Sequence, residues 1–248
     1  MNIHPIASSS EGNCTLVSTN NTNILIDVGI TLKELKANGV SNVNGIFVSH
    51  EHSDHWKGAG PASRLFGCPL YMNQASYDMK KNAIGSCNFI NVNPGDTIQI
   101  NELSVTHFST KHDVKMSFGY LIKEENGITF CYVTDTGMIT GLIAEKIKEA
   151  DVLMIEADYD EDLLRDYAGY EQWLKDRISS NFGHLSNQQT IEFLSGVYKD
   201  LDKVIFAHLS HRTNTPEIII KMAHDKLENS DRFLTAPLNK PLEFLHFT

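Results

Sequence analysis

The chain has 248 residues, 41% hydrophobic and 21% charged, a balance that suits one folded domain and excludes a disordered or low-complexity protein. No segment approaches the ~18 uninterrupted apolar residues of a membrane span. The N-terminal MNIHPIASSS lacks the basic and apolar stretches of a secretory leader, so a cytoplasmic protein with no membrane partner is expected, and the formal charge of −10 disfavours a broad nucleic-acid footprint, which depends on clustered Lys and Arg.

From the N-terminus, NIHPIA, CTLVS, NILIDVG and GIFVSH read as short strands, each an apolar or β-branched run bounded by Gly, Asn or Ser. PASRLFG and QASYDMKKNAI read as helices. TIQINELSVTHF predicts two strands meeting at Asn101-Glu102, and SFGYLIKEENGITFCYVTD a hairpin turning on Glu125-Asn126-Gly127. After Asp135 the pattern predicts a helix (GLIAEKIKEA), a strand (DVLMIEA), a polar and helical stretch over 159–180, and a helix from Asn187 with Ser186 as its cap. A strand (KVIFAHL) and a helix from Thr215 follow. The halves share a layout without a sequence repeat, and no Pro/Ser-rich linker divides them. The expectation is one α+β domain over 1–248, two sheets packed face to face with helices outside. Cys14, Cys68, Cys87 and Cys131 are widely spaced with no C-x-x-C pair, which predicts buried thiols rather than disulfides or a thiolate metal site.

The stretch SHEHSDHWKG, residues 49–58, spends three of the chain's 11 histidines within six positions. It follows the strand GIFVS and precedes a helix, so it occupies a loop at a strand's end, where function tends to lie. In this H-x-H-x-D-H pattern His50 and His52 project together from an extended segment, while Asp54 and His55 reach a second point as the chain turns. That supplies four ligands for two adjacent metal positions. Imidazole and carboxylate suit Zn, Mn and Fe, and the absence of thiolates leaves the metal's identity open.

With these residues the chain resembles the metallo-β-lactamase fold hydrolases, whose signature is H-x-H-x-D-H at the end of a strand. The resemblance implies a four-layer αββα sandwich and two divalent metal ions, Zn2+ first and Mn2+ second. It implies that Asp27 in NILIDVG supports the metal loop, that His112 in STKHD and His208 in FAHLS are ligands, and that Asp135 in YVTDTG bridges both metals. The metal set is then His50, His52, Asp54, His55, His112, Asp135 and His208. His107 competes with His112, but strand alternation in SVTHFS puts it in a packed or solvent position. His4, His224 and His246 have no such context and are read as structural or exposed.

FGHLSNQQT, residues 182–190, resembles the G-H-[SLV]-[ST] element of the phosphodiesterase branch of these hydrolases, which includes the tRNA 3′-processing ribonucleases. The resemblance makes His184 the acid that protonates the leaving oxygen and Glu156 the carboxylate that orients it, so Asp54, His184 and Glu156 are the expected catalytic residues. ASSSEGNCTLV, YVTDTG, LKDRISSNFGHLSN and AHLSHRTNT are similar to elements of the bacterial YycJ/WalJ group, described as exonuclease-like. The stretch His211-Arg212-Thr213 is more basic than that group would suggest. Arg177, His211 and Arg212 are candidates for binding phosphate. Tyr159, Tyr167, Tyr170 or Trp173 would stack on a base, or else pack a helix or a subunit interface of a homodimer.

The expected activity is dinuclear-metal phosphodiester hydrolysis. A small 3′,5′-cyclic nucleotide is placed ahead of nucleic-acid ends, because Lys80-Lys81 is the only basic run and no tRNA-gripping arm is evident. Phage-encoded proteins of this general type include cyclic-nucleotide phosphodiesterases that defeat bacterial defence signalling, and the resemblance implies phage counter-defence as a role for such an activity here. The alternatives are a YycJ/WalJ-like exonuclease and, in another class, a thioesterase or glyoxalase-II-like hydrolase.

Overall fold

A computed structural model of the chain describes residues 1–228, 230–237 and 245–246. In chain order its first half runs β1 (Asn2–Ser9), β2 (Gly12–Ser18), β3 (Asn23–Ile26), α1 (Leu32–Ala37), β4 (Gly45–Phe47), α2 (Ser53–Trp56), α3 (Ala59–Phe66) and β5 (Leu70–Met72). Then come α4 (Gln74–Ile84), β6 (Phe89–Asn91), β7 (Thr97–Ile100), β8 (Leu103–Ser109), β9 (Phe118–Glu124) and β10 (Thr129–Val133). The second half continues with α5 (Gly141–Lys148), β11 (Val152–Glu156), α6 (Glu161–Asp166), α7 (Gln172–Ile178) and α8 (Asn187–Leu194). It ends with β12 (Lys203–Ala207), α9 (Pro216–Lys226), β13 (Phe233–Thr235) and β14 (Leu245–His246).

The strands form two sheets, ordered β14-β1-β2-β3-β4-β5-β6 and β13-β12-β11-β10-β9-β8-β7. Their alternating side chains divide the apolar residues between faces. Val17, Ile24, Ile26 and Phe47 of the first sheet meet Val105, Tyr120, Tyr132, Met154 and Ile205 of the second in a buried middle layer. On the outer face of the first sheet, Leu25, Ile46 and Leu70 pack under Leu35, Ala62 and Ile84 of α1, α3 and α4. On the other side Leu153, Ile155 and Phe206 pack under α5, α8 and α9 through Ile143, Ile191 and Ile219. This is the expected αββα layering.

Local signals explain most element ends. Thr31 and Ser186 each form a capping box, at the starts of α1 and α8, and Thr215 caps α9 ahead of Pro216. Asn101 and Asn126 adopt positive φ in the two hairpin turns, the conformation that Asn tolerates best among residues with a side chain. The stretch 159–180 resolves into α6 and α7. Of the cysteines, Cys14, Cys68 and Cys131 are buried free thiols, but Cys87 is only half-buried, because it lies on the loop after α4. His4 is buried, and the side chain of His246 lies outside the described residues.

The topology determines where function can sit. β3 runs parallel to β4, and β10, β11 and β12 run parallel to one another, so their carboxyl ends open on one rim. Segments leaving those ends carry Asp27, Ser49 to His55, Asp135, Asp158 and His208, with Ser53 to His55 already in α2, while Glu156 closes β11 itself.

Candidate metal centre

Four chain segments bring the ligating side chains together. Nitrogens of His50, His52 and His112 form one group, and Asp54, His55 and His208 form another, each with its donor atoms within 4.8 Å of one another. Asp135 stands between them: Oδ2 is 3.5 Å from Nε2 of His55, and Oδ1 is 3.5 Å from Nε2 of His208 and 3.8 Å from Nε2 of His112. All seven expected ligands therefore meet at one place. His107 does not join them; it is buried among Phe47, Phe118 and Tyr120, with Nδ1 3.0 Å from the carbonyl of Asp96.

Asp27 organises the loop from below. Its carboxylate accepts the backbone N–H of Ser49 at 2.8 Å and the Ser49 hydroxyl at 2.9 Å, and Oδ2 lies 2.8 Å from Nδ1 of His55. With Nδ1 donating there, His55 presents the lone pair of Nε2 to the centre. Asn13 Nδ2 donates to Asp54 at 3.1 Å. Close approach is permitted by Gly29, where a Cβ would stand 1.5 Å from the carbonyl oxygen of Asp54. Asp27, Asp135 and His208 all take left-handed backbone, with φ of 57°, 55° and 54°.

The electrostatics distinguish the two groups. Burial lowers the pKa of His50 and of His52, and pushes His112 down to about 4, so three neutral imidazoles face one point. Burial also opposes charge on His55 and His208, but Asp135 and the neighbouring carboxylates outweigh it and raise both. These positions call for positive charge. Nε2 of His50, Oδ2 of Asp135 and both ring nitrogens of His208 are buried with no hydrogen-bond partner among the described residues. Neutral imidazoles, surplus carboxylate charge and orphaned donor atoms together fit divalent cations.

Beside the ligands, His184 Nδ1 lies 2.6 Å from Oε1 of Glu156, and its ring stacks on His208 with centroids 5.1 Å apart. Glu156 is fully buried, and Oε2 accepts the backbone N–H groups of Thr136 at 3.0 Å and Leu185 at 3.3 Å. Burial would lower the His184 pKa, but the charges of Glu156 and Asp158 raise it to about 9. Burial raises Glu156 above its usual range, against the pull of protonated His184.

A cleft of about 170 Å³ opens over the centre, lined by Ser10, His52, Asp54, His112, Asp113, Asp135, Arg177, Ile178, Gly183, His184 and His208. Of the candidate phosphate binders, Arg177 lines it. His211 and Arg212 are exposed and do not, and Arg212 donates to the Tyr167 hydroxyl at 3.0 Å. None of the four aromatic candidates lines it either: Tyr159 is buried, Tyr167 and Tyr170 meet edge to face, and Trp173 is 65% exposed on α7. Sequence reading passed over Asp113, whose only signal was an acidic residue directly after His112, and Asp158, 3.6 Å from Nδ1 of His208.

This fold and centre agree with comparisons across known proteins. Residues 22–209 match the β-lactamase superfamily domain, so the chain belongs to that superfamily and is a metal-dependent hydrolase by fold and site. Among its relatives, it is 32% identical over 225 residues to exodeoxyribonuclease YycJ of Bacillus anthracis, covering 86% of this chain and 84% of that protein. It is 29% identical over 240 residues to exodeoxyribonuclease WalJ of Streptococcus pneumoniae, covering 91% and 88%. The metallo-β-lactamase fold protein YhfI of Bacillus subtilis superposes with a TM-score of 0.76 at 17% identity, covering 97% of this chain and 98% of that one. A diphosphatase of the PhnP family gives 0.71 at 16%, covering 99% and 97%. No helix among the described residues is long and apolar enough to cross a membrane.

Proposed function

We propose that this chain is a dinuclear-metal phosphodiesterase that hydrolyses nucleotide phosphodiesters at nucleic-acid ends. The observation that carries the reading is the His184–Glu156 pair, 2.6 Å apart, in which His184 lines the same cleft as members of both ligand groups while Glu156 is buried behind it. Ester hydrolysis with an alkoxide leaving group needs a proton donor beside the centre, and a histidine held protonated at neutral pH supplies one. Two divalent cations, Zn2+ or Mn2+, bound by His50, His52, His112, Asp135, Asp54, His55 and His208 would activate water and offset phosphoryl charge. Glu156 fixes the His184 ring through Nδ1, leaving Nε2 to deliver its proton to the departing oxygen. Asp54 serves as a ligand. The names carried by the relatives at about 30% identity support DNA as the polymer.

A second reading, opening of a 3′,5′-cyclic nucleotide, is favoured by the charge of −10 and by the small volume of the cleft, about 170 Å³. The two part company in one assay. Single-stranded DNA, short oligonucleotides and cyclic mononucleotides are supplied at two salt concentrations with Mn2+ or Zn2+. Release of mononucleotides from DNA ends, weakening with salt, is the expected outcome; turnover confined to cyclic nucleotides would replace this reading with the second. Thioester cleavage without either would move the chain to the glyoxalase-II-like class. Asp54→Asn should abolish the signal, and activity surviving in it would indicate a contaminant.

A further inference from the structure

Arg177 stands at the end of α7 with its side chain half exposed, yet it lines the cleft. Its Nε donates to Oδ2 of Asp113 at 2.5 Å. The second oxygen of that carboxylate lies 3.5 Å from Nε2 of His112 and 3.9 Å from Nε2 of His52. Asp113 therefore spans the gap between the first ligand group and the guanidinium. The Nη groups of Arg177 make no hydrogen bond to a described residue, so its other four N–H donors stay open.

The turn beneath Arg177 is held by backbone hydrogen bonds. The backbone N–H of His184 donates to the carbonyl of Ile178 at 2.8 Å, and that of Gly183 to the carbonyl of Ser180 at 2.8 Å. The turn that presents Arg177 is thus bonded to the residue proposed as proton donor. A guanidinium anchored at Nε and open at both Nη positions has the planar fork that pairs bidentately with phosphate oxygens. Asp113 interposes negative charge between fork and ligands, so one phosphate does not comfortably straddle both.

We infer that Arg177, positioned by Asp113, binds the phosphate next to the scissile one, so that the site selects substrates carrying a second phosphate along the strand. A cyclic mononucleotide has only one. The inference rests on the phosphodiesterase reading and assigns a recognition subsite to it.

The test joins binding to kinetics. Affinity of a short fluorescein-labelled single-stranded oligonucleotide is measured by anisotropy across salt concentrations for the wild type, Arg177→Ala and Arg177→Lys. Loss of one phosphate contact should lower the slope of log K against log salt by about 0.7 in Arg177→Ala, with Arg177→Lys nearer the wild type. In turnover, Arg177→Ala should lose at least ten times more kcat/KM, mainly through KM, on a trinucleotide than on the same trinucleotide with an uncharged methylphosphonate at the flanking position. An unchanged salt slope, or equal losses on both trinucleotides, would overturn the inference. If Arg177 only neutralises Asp113, then Asp113→Asn combined with Arg177→Ala should recover the wild-type slope and KM; the phosphate role requires the double variant to stay impaired. A protein whose binding depends on Arg177 but which cleaves no phosphodiester would sink the proposed function while sustaining the contact.

Discussion

One oxygen of Glu156 lies close to two histidines: Oε1 is hydrogen-bonded to Nδ1 of His184 at 2.6 Å and stands 3.4 Å from Nδ1 of His208, near enough for its charge to act on both. A single buried carboxylate therefore couples the candidate proton donor to the metal ligands. His184→Ala should retain metal, measured by elemental analysis, and lose ~10²–10⁴-fold in turnover. Parallel loss of metal in that variant would make His184 a ligand instead.

The same pair has a pH signature. The His184 pKa is raised to about 9, so the acid form dominates at neutral pH and is lost as pH rises through the folded value. The kcat/KM profile should fall on its alkaline side, at a pH that bound cations shift downward from about 9. Glu156→Gln removes the charge that raises this pKa, so its alkaline limb should move to lower pH. A limb that stays in place would detach His184 from the profile.

Metal removal should expose the orphaned donors. Protein stripped by chelator should take up close to two equivalents of Zn2+ or Mn2+, and Asp135→Ala, which deletes the residue shared by both groups, should weaken both. Cation binding to the folded state alone adds about 2.7 kcal/mol when free metal is ~100 times Kd, which calorimetry would register as a higher Tm. An unmoved Tm and a single equivalent indifferent to Asp135 would count against the bridged centre.

Asp27→Asn isolates a tautomer. Asn accepts positive φ more readily than most residues, and its carbonyl would still accept the Ser49 N–H, so the fold should persist. Its amide would instead donate toward Nδ1 of His55, driving the ring proton to Nε2 and removing a ligand lone pair. The expected result is an affinity loss of 10–100-fold at the Asp54–His55–His208 position, with the three-histidine position spared, read by Co2+ titration.

Gly183→Ala tests the turn behind the cleft. A Cβ there would stand 2.1 Å from the carbonyl oxygen of Ile178 and 2.3 Å from that of Arg177, so backbone must shift at about 1–3 kcal/mol. Turnover should fall because His184 and Arg177 leave register together. Unaltered kinetics would show that the turn tolerates displacement.

The layered architecture and the ligand positions were readable because each rests on local pattern. The helix QASYDMKKNAI is α4 residue for residue, and both hairpin turns fall at the Asn residues that the strand alternation pointed to. The strands Leu70–Met72 and Phe89–Asn91 escaped notice, since three residues show no period of two. The Asp113–Arg177 pair is a contact across 64 positions, created by packing α7 against the β8–β9 loop, and no spacing rule encodes it. Conversely, His211 and Arg212 have the right chemistry in sequence but face solvent outside the cleft lining.

Asp27, Asp135 and His208 share left-handed backbone, a conformation that local preference opposes by about 1–2 kcal/mol at a residue with a side chain. Chemistry and chain preference are therefore in open conflict at three points of one rim. A lineage released from the need to bind metal would be expected to drift toward Gly or Asn at these positions, gaining a more relaxed fold as it lost the site. Aspartate and histidine at these positions cost the backbone more than glycine would, a cost offset by what their side chains hold together on the rim.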